Sequence, residues 1–410
     1  MDFVTVLYLV FMFIALYFFS FFILLTIKNR KLLFVTPNPN TNYLISVLVP
    51  AYNEEDSIIG TLEHVCNFDY PSDKIEVIVI NDGSKDRTVE LVREFMRNNP
   101  QVKLIDKKNS GKANSLNIGL KAARGELVAV VDSDSFPSRD SLKLLTGYFD
   151  NPEMSAMTSF VTVRNCNQNF FAKIQSLEYL ILGWSRKLLD FVDSVYVTNG
   201  PLSVYRKSYV MKVGGFDPKS VTEDIDITWN LLYHGYKTGM CLNARVSTVV
   251  PPSYKKWFKQ RTRWGLGGLQ ALAKYRKMFL RKGMFGIFIL PYVSFSIIIS
   301  LATFVFSIYL ILSNILVKSL TTGYSLSTNS AVFTFSDINL YPSVILFYFI
   351  VMFTLSITYS YYTLKVTDYE RNLTTKKFLN LLFYIFIYLT LYPLVWFASI
   401  YRFIVKDHRW

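Results

Sequence analysis

"AVVDSDSFPS", residues 129–138, runs from an apolar stretch into two acids one residue apart and then into a proline. Asp and Ser commonly close a strand by bonding their own backbone, so this pair takes its meaning from its surroundings. Upstream stand "ISVLVP" (45–50), "IEVIVI" (75–80) and "VKLID" (102–106), while "LVAVVD" (127–132) overlaps the quoted stretch itself. Each is a short run dominated by β-branched and aliphatic residues. Between them lie segments such as "EEDSIIGTLEHVCNF" and "DRTVELVREFMRNN", whose apolar residues recur three and four apart, the helical period. Strands alternating with helices predict an α/β domain with a parallel sheet covered on both faces. Ligands bind such sheets outside the carboxyl ends of the strands, which is where Asp132 and Asp134 fall.

Two other strands end the same way: "AYNEE" (51–55) follows the first and "NDGSKD" (81–86) the second. "NDGS" alone reads as ordinary turn chemistry. Three acidic turns on one ligand-binding edge read better as a site. The common nucleotide motifs are absent. No GxGxxG follows a strand, and "NSGKANS" has Asp106 where a P-loop needs its first glycine and Ala113 where it needs Ser or Thr. A dinucleotide oxidoreductase and a P-loop ATPase are thereby disfavoured.

The chain has 410 residues, 51% of them hydrophobic and 16% aromatic, with a formal net charge of +14. That is too apolar for an ordinary soluble protein and too charged to be all membrane. Residues 4–27 carry no charge and are long enough to cross a hydrocarbon core of about 30 Å. Asp2 before them and "KNRK" after them do not fit a cleaved signal peptide. The positive charge after the span places the N-terminus outside and residue 28 onward in the cytoplasm. Further spans are expected at 342–364 and 378–404. The stretch 285–317 is longer than one crossing needs, and Pro291 leaves its first turns free to lie flat at the interface. Four crossings result, with the basic loop 365–377 inside. Three scattered cysteines, Cys66, Cys166 and Cys241, read as reduced thiols, and the three histidines show no zinc-site spacing.

Taken together, "AYNE", "NDGS" and "DSD" resemble the motifs of glycosyltransferase family 2. That resemblance implies a GT-A type nucleotide-sugar domain. It implies donor contacts from Ala51, Tyr52, Asn53, Glu54, Asp82, Lys112, Asp132, Ser133, Gln260 and Arg263, and a Mg²⁺ or Mn²⁺ ion held by Asp132 and Asp134. "TED" (222–224) and "QRTRW" (260–264), in this order after a DxD, are similar to the signature of the processive branch, which makes cellulose, chitin oligosaccharide, hyaluronan and poly-N-acetylglucosamine. Alone, "TED" is a serviceable helix start, with Thr capping and two acids facing the dipole. By resemblance Asp224 is the base, with Glu223 beside it, Arg263 steadies the leaving diphosphate, and Trp264 offers a stacking face for an acceptor sugar. "TNGPLSVYRK" (198–207) resembles the family's acceptor-binding segment and brings in Asn199, Gly200 and Pro201. Hyaluronan synthases usually place Gly-Asp-Asp where this chain has "TED". The single N-terminal span, "TED" and "LYPLVWF" are most similar to the poly-N-acetylglucosamine synthases.

Residues 254–282 hold ten Lys or Arg and no acid, interleaved with Trp, Phe and Leu. Such a stretch fits an interfacial helix on anionic lipid better than a nucleic-acid partner, and residues 170–192 form a second candidate. The expected organisation is a membrane helix at 1–30, a cytoplasmic transferase domain at 42–253, a basic interfacial segment at 254–284 and membrane helices at 285–404. The resemblance implies a multi-pass protein of the cell membrane with its catalytic domain cytoplasmic. It extends a β-linked polysaccharide from a UDP-sugar, most simply UDP-N-acetylglucosamine, onto a growing polysaccharide or lipid-linked acceptor. With so few spans, a small membrane partner subunit would complete the exit path. Two other donor patterns stay open, UDP-glucose and a pair of alternating UDP-sugars. Transfer of a single sugar to a polyprenyl phosphate is also open, although such enzymes generally lack "QxxRW". A transporter would be expected to carry ionisable residues inside its spans.

Overall fold

The computed structural model describes residues 3–328, 344–367 and 375–407. Helix α1 (Phe3–Asn29) leads into the four expected strands, β1 (Ile45–Ala51), β2 (Ile75–Asp82), β3 (Val102–Lys107) and β4 (Leu127–Val130). They are joined by α2 (Ile58–Cys66), α3 (Thr88–Met96) and α4 (Lys112–Ala122). β1 lies between β2 and β4, β3 flanks β2, and all four are parallel. Every residue of β1 is buried, as required of a strand covered on both faces. The pleat sends Ile45, Val47 and Val49 toward Ile58, Leu62 and Val65 of α2. It sends Leu48 the other way, toward Leu116 and Leu120 of α4.

Beyond β4 the expected parallel pattern gives way to a mixed sheet. Four more strands, β5 (Ser135–Pro137), β6 (Met154–Val163), β7 (Ser203–Arg206) and β8 (Lys237–Thr248), extend it in the order β3-β2-β1-β4-β7-β6-β8-β5. β7 runs antiparallel to both β4 and β6, and β5 antiparallel to β8. β6 and β8 are rich in Ser and Thr, which weakens any apolar run. Their hydroxyls are satisfied within the sheet layer: Ser159 Oγ donates to the Leu202 carbonyl at 2.8 Å and Thr238 Oγ1 to the Val195 carbonyl at 2.6 Å. The reversal at β4 and β7 has a functional result. Val130 pairs with Ser203, so residues 199–201 arrive beside the end of β4, where the Asp132 N–H donates to the Gly200 carbonyl at 3.1 Å.

The remaining helices are α5 (Ser141–Thr146), α6 (Phe170–Asp190), α7 (Lys207–Lys212), α8 (Glu223–Tyr233), α9 (Tyr254–Lys274), α10 (Leu290–Thr328), α11 (Val344–Thr367), α12 (Thr375–Phe383) and α13 (Tyr392–Ile404). Three described stretches, Thr5–Asn29, Phe285–Tyr324 and Phe378–Ile404, are long and apolar enough to cross a membrane. The fourth expected span is formed as α11, which is not among those three, and the loop at 365–377 falls mostly outside the described residues. The stretch after residue 285 is one continuous helical run rather than a flat segment followed by a span. Pro291 stands just after the π-helical turn Phe285–Ile289, and its missing N–H removes one bond from the helical ladder there.

Both expected interfacial segments are helices. Trp257 of α9 and Ile174 of α6 share a buried cluster with Leu381, Tyr384, Tyr388 and Val395 of the C-terminal helices. α1 packs its Phe18 against Phe288 at 5.2 Å and its Phe19 against Tyr359 at 5.3 Å between ring centroids.

Candidate active site

The three acidic turns are stitched together along the sheet edge. Asn53 takes a left-handed backbone (φ 55) as the chain leaves β1. Its N–H donates to Ser84 Oγ at 3.0 Å, and its Oδ1 accepts the Lys85 N–H at 2.8 Å. The Glu54 N–H donates to Thr88 Oγ1 at 2.8 Å, which completes the join between the first two turns. Tyr52 stands exposed beside them, and Ala51 is buried at the end of β1. Asp82 closes β2 and holds the following loop: its carboxylate accepts the Ser110 N–H at 2.8 Å and the Gly111 N–H at 2.9 Å, and pairs with Lys107. That loop delivers Lys112 as the first residue of α4.

Lys112 stands at the centre. Its Nζ lies 2.6 Å from Asp132 Oδ1 and 2.7 Å from Glu223 Oε1. Burial alone would lower its pKa, but the charges of Asp132, Glu223 and Asp224 prevail and raise it. Burial opposes ionisation of Glu223, yet Lys112 outweighs it and the carboxyl titrates below its usual range. The neighbouring Asp224 goes the other way, raised to about 6 by burial and by the charge of Glu223. One ammonium therefore holds one carboxylate firmly ionised while the next is made more basic.

Asp134 is also raised to about 6, by burial and then by the charges of Asp132 and Glu54. Carboxylates crowded in this way, with Lys112 offsetting only part of their repulsion, are a donor set that suits a hard divalent cation, which needs only one or two protein oxygens when phosphates supply others. Among the described residues no group of three or more His, Cys, Asp or Glu is placed to hold a metal ion by itself. Gly200 packs so closely on Asp132 that a Cβ there would run into the carboxylate. A cavity of about 740 Å³ opens in front of this cluster, lined by Ser110–Asn114, Pro218–Val221, Glu223, Arg263 and Gln270.

Residues 46–214 match the family described as glycosyl transferase family 2. They form a glycosyl transferase family 2 domain. The chain is 32% identical over 259 residues to the poly-beta-1,6-N-acetyl-D-glucosamine synthase of Staphylococcus aureus (strain MSSA476), covering 62% of each chain. It is 34% identical over 233 residues to the synthase of that name from Staphylococcus epidermidis, covering 56% of each. The chain thus matches less than two thirds of the length of these relatives. Among solved structures, the mannosyltransferase PcManGT from Pyrobaculum calidifontis, in complex with GDP-Man and Mn²⁺, is similar in fold. The TM-score is 0.63 at 19% identity, covering 98% of this chain and 99% of that one.

In the glycosyl transferase domain and in α8 and α9 after it, the structure brings Lys112, Glu223 and Arg263 to the wall of one cavity, with Asp132 held beside them by Lys112. Ser133 is buried, its carbonyl accepting the Thr61 hydroxyl at 2.8 Å. Asn199 turns inward, its Nδ2 donating to the Ser159 carbonyl at 3.1 Å, and Pro201 follows Gly200 in the same turn. Along α9, Arg263 is exposed toward the cavity, whereas Gln260 Oε1 is occupied by Arg261 Nη1 at 2.6 Å. Trp264 is half-buried under the Arg261 guanidinium, 4.0 Å above its ring.

Sequence reasoning passed over three groups. α9 approaches the "TED" turn closely enough that a side chain at Gly267 would collide with Thr222, and Gln270 Oε1 accepts the Val221 N–H at 3.0 Å. Lys274 then bonds Asp226 at 2.7 Å and Asp217 at 2.7 Å, clasping α8 to α9. The third group is Glu178, buried and paired to Arg261. An acid inside a mainly apolar amphipathic helix was the available signal for Glu178.

Proposed function

We propose that this chain is a membrane-embedded, inverting and processive glycosyltransferase that extends a β-linked N-acetylglucosamine polymer from UDP-N-acetylglucosamine. The observation that carries the reading is the Lys112 bridge, which ties the DxD turn to the "TED" turn within 2.7 Å on each side, at the wall of one cavity. The names of the staphylococcal relatives support the sugar and the polymer. In the transfer, the bond from the sugar anomeric carbon to the β-phosphate oxygen of the diphosphate breaks and a bond from that carbon to the acceptor oxygen forms on the opposite face. The acceptor proton passes to the Asp224 carboxylate and UDP departs. A base with a pKa of about 6 is ionised at neutral pH and still receptive to a proton. Arg263 and Lys112 offset the charge gathering on the diphosphate. Asp132 and Asp134 would hold Mg²⁺ or Mn²⁺, which when bound neutralises the leaving group.

Asn53, Glu54 and Asp82 with its loop form the nucleoside end of the site, and Trp264 with residues 199–201 the acceptor end. The domain at 42–253 lies in the cytoplasm of a multi-pass membrane protein, with residues 254–284 against lipid and the helices at 285–404 beside the product path. A polymer end retained on Trp264 makes each next addition effectively intramolecular. A small membrane subunit would complete that path. The test is incubation of purified full-length protein with a panel of radiolabelled UDP-sugars and Mg²⁺ or Mn²⁺. Long polymer from UDP-N-acetylglucosamine alone is expected. Incorporation of glucose, or of two alternating sugars, defeats the named substrate, and a ladder of freely released intermediates defeats processivity.

A further inference from the structure

A buried polar cluster behind the "QRTRW" helix takes no part in the transfer chemistry above. Glu178 of α6 and Arg261 of α9 are each 2% exposed. Arg261 Nη2 donates to Glu178 Oε2 at 2.5 Å and Nε to the Tyr392 hydroxyl oxygen at 3.3 Å. Glu178 also accepts the Tyr388 hydroxyl at 2.7 Å and the Tyr392 hydroxyl. Trp257 Nε1 donates to the Tyr388 oxygen at 2.5 Å, which extends the network to the start of α9. Tyr388 ends a π-helical turn, Tyr384–Tyr388, within the stretch Phe378–Ile404. Such turns insert a residue and re-aim the side chains around them, often at functional sites.

Stability is a poor reason for this arrangement, because well-packed apolar side chains of equal volume usually serve as well as a buried ion pair. Orientation is a better one. A guanidinium is planar, permanently charged and suited to lying flat on an aromatic ring, and here it lies 4.0 Å over Trp264. Every Arg261 contact named above fixes the plane of that guanidinium. One side of the indole is thereby covered by a group that cannot rotate away, and Tyr179 lies 6.5 Å from it between ring centroids, while the ring as a whole stays only half-buried.

We infer that Glu178 is a positioning residue for the acceptor: it holds Arg261 flat on Trp264, and Tyr388 and Tyr392 tie its carboxylate to the last membrane helix. This inference rests on the reading of Trp264 as the acceptor platform. Displacement of the last helix along its axis would move both tyrosines, and through Glu178 and Arg261 it would tilt the platform. Acceptor grip and the membrane path are then mechanically joined.

The experiment compares wild type, Glu178→Gln, Trp264→Ala and the double variant as full-length proteins in lipid nanodiscs, with UDP-N-acetylglucosamine and Mg²⁺ at low turnover. Product length and UDP affinity are both measured. Glu178→Gln is expected to shorten products severalfold with UDP affinity changed by less than twofold. Trp264→Ala should do the same, and the double variant should be no worse than Trp264→Ala alone, since the acid acts through the ring. Wild-type product length for Glu178→Gln beside short products for Trp264→Ala overturns the positioning role and leaves the platform standing. Normal length for Trp264→Ala overturns the platform and the positioning role with it. A double variant with multiplicative losses shows independent action and also overturns the inference. Should Glu178→Gln not fold, Tyr392→Phe carries the comparison by removing one donor and keeping the ring. A smaller shortening in the same direction is expected, and unchanged length counts against the role.

Discussion

Lys112 reaches Glu223 across the mouth of the cavity, with 2.7 Å between Nζ and Oε1, joining the start of α4 to the start of α8. The same ammonium holds Asp132 at 2.6 Å. Lys112→Met leaves two carboxylates unpaired in a confined space. Since the lysine charge lowers the pKa of Asp224, the acid limb of the pH–rate profile should move upward in the variant and kcat/KM should fall on the order of 100-fold or more. An unmoved acid limb would dissociate Lys112 from the base.

As the proposed base, Asp224 is expected to set the pH dependence of the wild-type enzyme. Its carboxyl is raised to about 6, burial first and Glu223 second, and a base works only when ionised. Activity should be full above neutral pH and fall as the pH drops through about 6. Asp224→Asn should lower turnover by a factor on the order of 10²–10⁴ while UDP binding, measured by calorimetry, stays near wild type. Wild-type turnover in that variant would remove Asp224 from the chemistry.

Asp134 distinguishes a metal ligand from a structural turn. Asp134→Ala should abolish the enhancement of UDP binding by Mn²⁺. A purely structural aspartate would instead lower thermal stability and leave the enhancement intact. Titrating UDP with and without the metal, alongside a melting curve, separates the two.

Gly200 tests close approach at the site. The Asp132 carboxylate occupies the space a Cβ would need, so Gly200→Ala has to displace Asp132 or residues 199–201. Overpacking of this kind costs about 1–3 kcal/mol. Donor affinity should fall together with stability, whereas Gly268→Ala, inside α9 with open space around its Cβ position, should leave donor affinity unchanged and raise stability slightly.

Topology is testable apart from chemistry. In a background lacking the three native cysteines, Gly323→Cys near the end of α10 should react with an impermeant thiol reagent applied to intact cells. Lys277→Cys, just after α9, should not. Labelling in the reverse pattern would put the transferase domain on the wrong side for cytoplasmic nucleotide sugars.

The sequence made β1 to β4 legible because continuous apolar runs mark strands buried on both faces, and the acidic turns after them pointed to the ligand edge. β6, β7 and β8 carry Ser and Thr inward, where hydroxyls bond neighbouring carbonyls, and that chemistry breaks the hydrophobic pattern that reading depends on. The pairing of Glu178 with Arg261 spans 83 residues, and its bond to Tyr388 spans 210. No local spacing encodes contacts at that separation. "NDGS" falls at the polar end of the sheet as expected from its position after β2, and the carboxylate of Asp82 is directed at the N–H groups of Ser110 and Gly111, a partner that only the folded loop supplies.

The aromatic contacts of α1 bear on the order of assembly. Phe18 and Phe19 meet Phe288 and Tyr359, residues that come after the last strand, which ends at Thr248. During translation the first helix therefore waits in the bilayer without these neighbours while the sheet closes beneath it, since domains fold as units and the N-terminal part first. The membrane portion is completed last, by helix association within lipid. Substitutions at Phe18 or Phe288 should therefore lower the yield of assembled protein before they touch the chemistry.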